Sequence, residues 1–221
     1  MRTVVFDLDG TLADTSADLI AAANACFRAR GLGDLLDPDA DALTAFHGGR
    51  AMLRLGYGRV GHPETEALTE ADYAPLLAHY GANICESTRL YPGAAEAVEA
   101  LRGAGFATAI CTNKPEGLAR RLVADLGIAG LFDALIGADT LPVRKPDPAP
   151  YAAAVAGAGG TVARSLLVGD TATDRETARA AGVPCVLVTF GPEGAGIARL
   201  APEALLDYYG DLPALSAHLI V

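Results

Sequence analysis

Near the amino terminus the apolar run Val4-Val5-Phe6 ends in Asp7-Leu8-Asp9-Gly10-Thr11-Leu12-Ala13-Asp14, and no other stretch restricts the fold as tightly. A short run of β-branched and aromatic residues reads as a strand. Two carboxylates and a glycine turn at its tip are poor packing material, so the tip reads as a reactive site. Side chains alternate along a strand, so while the chain stays extended Asp7 and Asp9 point to one side and Leu8 to the other. Like charges that close are tolerable when a divalent cation lies between them or when one carboxyl holds a proton. Both conditions suit phosphoryl transfer.

The remainder of the chain sets the frame for that site. With 221 residues, 51% of them apolar, there is material for one substantial core and a smaller second unit. A net charge of −10 repels nucleic acid and anionic lipid, so neither is an expected partner. Cys26, Cys85, Cys111 and Cys185 are widely spaced with no CxxC pattern, which fits buried free thiols in a reducing compartment. Met1-Arg2 leads straight into the strand, too early for a signal peptide, and no apolar run approaches the roughly 18 residues of a membrane helix. The expectation is a soluble, cytoplasmic protein, monomer or homodimer.

Ser16 to Arg30 is alanine-rich with apolar residues at helical spacing, and Gly31 and Gly33 stop it. Helical patterns continue over Pro38 to Phe46, Arg50 to Leu55 and Glu64 to Tyr80, with breaks at His47-Gly48-Gly49 and from Gly58 to Pro63. From Tyr91-Pro92-Gly93 onward helices and strands alternate. Helices are expected over Ala94 to Leu101, Pro115 to Leu126, after Asp147, and over Thr171 to Ala180. Strands are expected over Phe106 to Cys111, Ala134 to Ile136, Ser165 to Val168 and Val183 to Val188, and Pro202 to Val221 is expected to supply one or two packing helices. This pattern predicts an α/β fold, a doubly wound, Rossmann-like parallel sheet built from residues 1–14 and 88–221, with an all-helical cap of residues 15–87 inserted after the first strand.

Open parallel sheets bind ligands beyond the carboxyl ends of their strands. Those positions hold Asp7 and Asp9, then Thr112-Asn113-Lys114, then Arg144-Lys145-Pro146-Asp147-Pro148, then Gly169-Asp170-Thr171 with Asp174 beyond. Together they offer a nucleophile, a hydroxyl donor, a cation and a metal ligand. The order and spacing resemble the haloacid dehalogenase superfamily, in particular its phosphoglycolate phosphatase-like branch, whose signatures DxDGTLxD, TN(K), KPxP and GDxxxD are all matched across essentially the whole chain.

The resemblance implies that Asp7 attacks the substrate phosphorus and becomes an aspartyl phosphate. It implies that Asp9 is the general acid for the leaving oxygen and then the base for water, with its backbone carbonyl on the metal. Thr112 and the backbone N–H of Asn113 would hold phosphoryl oxygens, and Lys145 would neutralise Asp7 and the developing charge. Asp170 would complete a Mg²⁺ site with Asp7, and Asp174 would either ligate the ion or orient its waters.

In the insert, two glycines separate His47 from Arg50 at a helix start. Arg50 suits a substrate carboxylate, which makes 2-phosphoglycolate the expected substrate among small phosphorylated metabolites. His47 is a weaker candidate in the same segment. A helical cap, closing over the site on hinges near Asp14-Thr15 and Ser87-Tyr91, would exclude water and large phosphoproteins. Three other readings compete: a phosphosugar mutase sharing all four motifs, a metal-free haloacid dehalogenase, which the second acid Asp9 disfavours, and a catalytically idle binding protein.

Overall fold

A computed structural model describes residues 1–220 of the chain. In chain order the elements are β1 (Thr3–Phe6), β2 (Ala13–Asp14), α1 (Ser16–Ala29), α2 (Ala42–Ala45), α3 (Gly49–Arg59), α4 (Thr65–Ala82), β3 (Arg89–Leu90), α5 (Ala94–Gly103), β4 (Ala107–Cys111), α6 (Glu116–Asp125), β5 (Ala134–Ile136), α7 (Pro148–Gly157), β6 (Ser165–Gly169), α8 (Ala172–Ala181), β7 (Cys185–Val188), β8 (Ala204–Leu206) and α9 (Leu212–Leu219). They divide into two compact units, residues 1–14 with 90–221, and residues 15–89.

The first unit is a six-stranded sheet in the order β5-β4-β1-β6-β7-β8, parallel at every pairing. Every residue of β1, β4 and β6 is buried, which is why these strands read as continuous apolar runs: a parallel sheet is covered on both faces. Val5, Ala109, Cys111, Leu167 and Leu187 face a cluster that includes Tyr151, Ala154 and Val155 of α7 and Ala178 of α8. Alternation sends the buried Val4, Phe6, Ile110 and Val168 to the opposite face. A one-residue slip would exchange the two faces, and each large apolar side chain contributes about 1.5–3 kcal/mol by burial, so the register is strongly specified.

That register positions the site. Phe6 lies opposite Ile110 of β4 and Val168 of β6, so the residues that follow all three strands emerge at one edge. The chain proceeds from β1 outward through β4 and β5, then returns to the far side of β1 at β6, which makes the carboxyl end of β1 the topological switch point.

The carboxyl-terminal segment departs from expectation. Where only packing helices were expected after Pro202, the chain first adds the edge strand β8, pairing with Val186 to Val188, and only then forms α9. Val221 lies outside the described residues.

The second unit is helical. Its α3 runs on beyond the expected end at Leu55, through Gly56 and Gly58 to Arg59. Gly56 makes this possible, because a Cβ there would fall 2.2 Å from Cζ of Phe27, whose ring packs edge-on against Tyr57 at 5.0 Å. Conversely, only Ala42–Ala45 of the expected Pro38–Phe46 helix forms. Asp37 and Asp41 instead take up backbone N–H groups of residues 37, 39 and 40, holding a turn. Asp72 of α4 receives both Nε and Nη2 of Arg30, at 2.7 and 2.6 Å, and the Tyr57 hydroxyl, tying three helices together. None of the four cysteines is in a disulfide; three are buried and Cys85 is half-buried. Among the described residues no helix is long and apolar enough to cross a membrane.

Candidate active site

Asp7 leaves β1 still bonded to the sheet, its N–H donating to the Val168 carbonyl at 2.9 Å. One carboxylate oxygen accepts from the Leu8 N–H at 2.7 Å, and the other lies 3.1 Å from Lys145 Nζ. Burial pushes the Asp7 carboxyl up to about 6; Lys145 opposes the shift, and the nearby carboxylates of Asp174 and Asp9 add to it. For Lys145, burial alone would favour the neutral amine, but Asp174 and Asp7 outweigh it and hold the side chain firmly as an ammonium. Cys111, next to this group, is no competing nucleophile, because burial raises its thiol to about 12.

The loop after β6 supplies the other half. Asp174 is the third residue of α8 and closes a capping box with Thr171. Its Oδ2 accepts from the Thr171 hydroxyl at 2.7 Å, the Thr171 N–H at 3.1 Å and the Asp170 N–H at 3.3 Å, while its Oδ1 lies 2.6 Å from Lys145 Nζ. Gly169 leaves room for this: a Cβ on it would sit 2.4 Å from both Cβ and Cγ of Asp174. Asp170 is also buried, with Oδ1 accepting from the Thr11 hydroxyl at 2.7 Å and Oδ2 having no hydrogen-bond partner. Burial raises its carboxyl well above the ordinary range, and Asp174 and Asp7 raise it further.

Oxygens of Asp7, Asp170 and Asp174 lie within 4.8 Å of one another. Three carboxylates face a single ammonium, and one buried carboxylate oxygen is orphaned. A hard divalent cation with a preference for oxygen donors fits that imbalance. The saturated hydrogen bonding of Asp174 suits it to holding Lys145, which leaves Asp7 and Asp170 as the open oxygen donors.

The loop after β4 completes the edge. The Thr112 hydroxyl accepts from the Lys114 N–H at 3.1 Å, leaving its own proton to donate. Asn113 is exposed, and its side-chain amide donates to the Lys145 carbonyl at 3.0 Å, tying this loop to the lysine loop. Lys114 Nζ lies 2.8 and 3.0 Å from the two carboxylate oxygens of Asp9. Motif reading gave no role to Lys114 or Thr11, although both lie inside matched signatures, TN(K) and DxDGTLxD.

Within the helical unit, Arg50 is the second residue of α3 and is held by Glu70 through two hydrogen bonds of 2.7 and 3.0 Å, its guanidinium 3.6 Å above the Tyr73 ring. His47 is exposed.

A parallel α/β sheet that gathers aspartates and a buried lysine at the ends of its central strands defines a Rossmann-like fold with a carboxylate–ammonium site at its switch point. Residues 1–182 match the family model described as haloacid dehalogenase-like hydrolase. A phosphoglycolate phosphatase of Agrobacterium fabrum is 40% identical over 98% of this chain and 93% of its own, and one of Caulobacter vibrioides is 37% identical over 96% and 89%. A Haemophilus somnus crystal structure, described as a predicted phosphoglycolate phosphatase, superposes with a TM-score of 0.86 at 27% identity and 98% coverage of both chains. The chain belongs to the haloacid dehalogenase-like hydrolases, and it is a phosphatase of that family.

Proposed function

We propose that the chain is a Mg²⁺-dependent phosphomonoesterase that hydrolyses 2-phosphoglycolate in the cytoplasm through an aspartyl phosphate on Asp7. The observation that carries this reading is the buried ion cluster at the switch point, in which Lys145 spans Asp7 and Asp174 beside the orphaned oxygen of Asp170. The two relatives named phosphoglycolate phosphatase support the substrate.

In the first step an Asp7 oxygen forms a bond to phosphorus, the bond from phosphorus to the glycolate oxygen breaks, and Asp9 delivers a proton to that leaving oxygen. In the second, water attacks the same phosphorus, Asp9 takes the water's proton, and the Asp7–phosphorus bond breaks. Lys145, the Thr112 hydroxyl and the Asn113 N–H counter the charge on the phosphoryl oxygens throughout. Asp174 keeps Lys145 in place. Asp7, Asp170 and the Asp9 backbone carbonyl would hold Mg²⁺, which when bound supplies further positive charge for the phosphoryl group. In this reading the helical unit of residues 15–89 is the cap domain.

Phosphate release from 2-phosphoglycolate, hexose phosphates, pyridoxal phosphate and a nucleotide monophosphate, with and without Mg²⁺, tests the reading. It requires Mg²⁺-dependent release, fastest from 2-phosphoglycolate and lost in Asp7→Asn. A hexose 1-phosphate converted to its isomer without free phosphate would show a mutase instead.

A further inference from the structure

The chain carries fifteen arginines but only two lysines, Lys114 and Lys145. Both lysines are buried, at 7% and 3% exposure, although lysine is among the residues least often found inside. Each is clamped on one of the two aspartates that follow β1, Lys145 on Asp7 and Lys114 on Asp9. Lys145 is committed to the nucleophile and to Asp174. Lys114 has no counterpart role in the chemistry set out above.

We infer that Lys114 recognises the substrate's second anionic group, a carboxylate two bonds from the ester oxygen, and is thereby the residue that makes the enzyme select short phosphorylated hydroxy acids. The inference rests on the phosphatase reading, because that reading puts Asp9 against the leaving oxygen. A cation within 3.0 Å of both Asp9 oxygens then stands on the leaving-group side of the phosphorus. In 2-phosphoglycolate the carboxylate oxygens lie about 3 Å from the leaving oxygen by ordinary bond lengths, within the reach of the Lys114 ammonium.

Charge complementarity gives the same assignment. Lys114 is a buried cation on the leaving-group side of Asp9, and a substrate carboxylate offers it a matching anion that an uncharged ester of the same shape does not. Selectivity arises from the penalty on the wrong substrate as much as from attraction to the right one. The arginine that sequence reading favoured for this task, Arg50, is already engaged by Glu70 and stacked on Tyr73.

The test compares kcat/KM for 2-phosphoglycolate and for its neutral amide, 2-phosphoglycolamide, in the Mg²⁺-loaded enzyme. Wild type should prefer the acid by roughly tenfold or more, as loss of a partner from a buried charge pair implies. Lys114→Met and Lys114→Gln should lower both rates but reduce the preference by about tenfold or more, chiefly through KM. Lys114→Arg should keep the preference, and so should Arg50→Ala. An unchanged preference in both neutral variants would overturn the inference, as would its collapse in Arg50→Ala. If neither neutral variant folds, the wild-type comparison still decides, since equal turnover of acid and amide excludes carboxylate recognition. Wild-type enzyme that hydrolyses neither ester removes the phosphatase reading, and the inference with it.

Discussion

Asp174→Asn changes one atom of a fully buried side chain and isolates the contact that organises the site. In the native protein the two carboxylate oxygens serve different partners, Lys145 on one side and the N–H groups of Asp170 and Thr171 with the Thr171 hydroxyl on the other. An amide can present oxygen to only one side. Either its NH₂ faces the Lys145 ammonium, donor against donor, or it faces two backbone N–H groups. Both arrangements unpair buried polar groups, with Asp174 and Lys145 side chains 0% and 1% exposed. Removing one partner of a buried ion pair costs about 3–5 kcal/mol. Asp7 remains 3.1 Å from Lys145 and partly balances it, which places the loss near the lower figure. At about 2–4 °C per kcal/mol for a chain of this size, the melting temperature should fall by roughly 6–12 °C. Thermal unfolding followed by far-ultraviolet circular dichroism measures it. In a double-mutant cycle, Lys145→Met should cost much less in the Asp174→Asn background than alone. A melting shift below about 2 °C, or additive losses, would refute the assignment of Asp174 as the support of Lys145.

The same geometry sets four other outcomes. Gly169→Ala forces a Cβ to within 2.4 Å of Asp174 and should cost about 10²-fold in kcat by displacing the Asp174–Lys145 pair; near-native turnover would contradict the close packing. Thr11→Val removes the donor to Asp170 Oδ1 and should weaken Mg²⁺ binding about 10-fold to 100-fold by titration calorimetry without substrate, with Thr11→Ser restoring it; unchanged affinity would count against Asp170 as a ligand. Asp7 holds its proton up to about pH 6 in the metal-free protein, so Mg²⁺ affinity should fall as pH drops below that value, and a flat profile would be inconsistent with an Asp7 ligand. Because this folded-state pKa is raised, the Asp7 contribution stabilises the metal-free fold at low pH and is lost as pH rises through about 6; Asp7→Asn should remove that slope.

The sheet and the polar residues at its carboxyl edge could be read from the chain because both are local in sequence. An apolar run that stops at a polar cluster marks a strand and the edge where it ends at once, as at Phe6-Asp7, Cys111-Thr112 and Gly169-Asp170. β8 escaped because three residues between Glu203 and Asp207 carry no alternation, and their strand character comes from pairing with β7. The expected helix stopped at Leu55, short of Gly56 and Gly58, because propensity is local, while the ring of Phe27 that requires Gly56 lies on another helix. The same limit hid the Lys114–Asp9 pair, whose members are 105 residues apart in sequence, and the Thr11–Asp170 bond, which spans 159 residues. The residue types were visible, but their partners were decided by sheet register.

The covalent intermediate on Asp7 is the central claim, and the Asp9→Asn enzyme tests it most directly. With 4-nitrophenyl phosphate the leaving phenolate needs no proton, so the first displacement proceeds without Asp9 and the second, which requires a base, stalls. Acid quenching followed by intact-mass and peptide mapping should find one phosphoryl group per chain, carried on Asp7, alongside a stoichiometric burst of nitrophenolate. Nitrophenolate release with no phosphorylated protein, or a phosphoryl group on any other residue, would contradict the account.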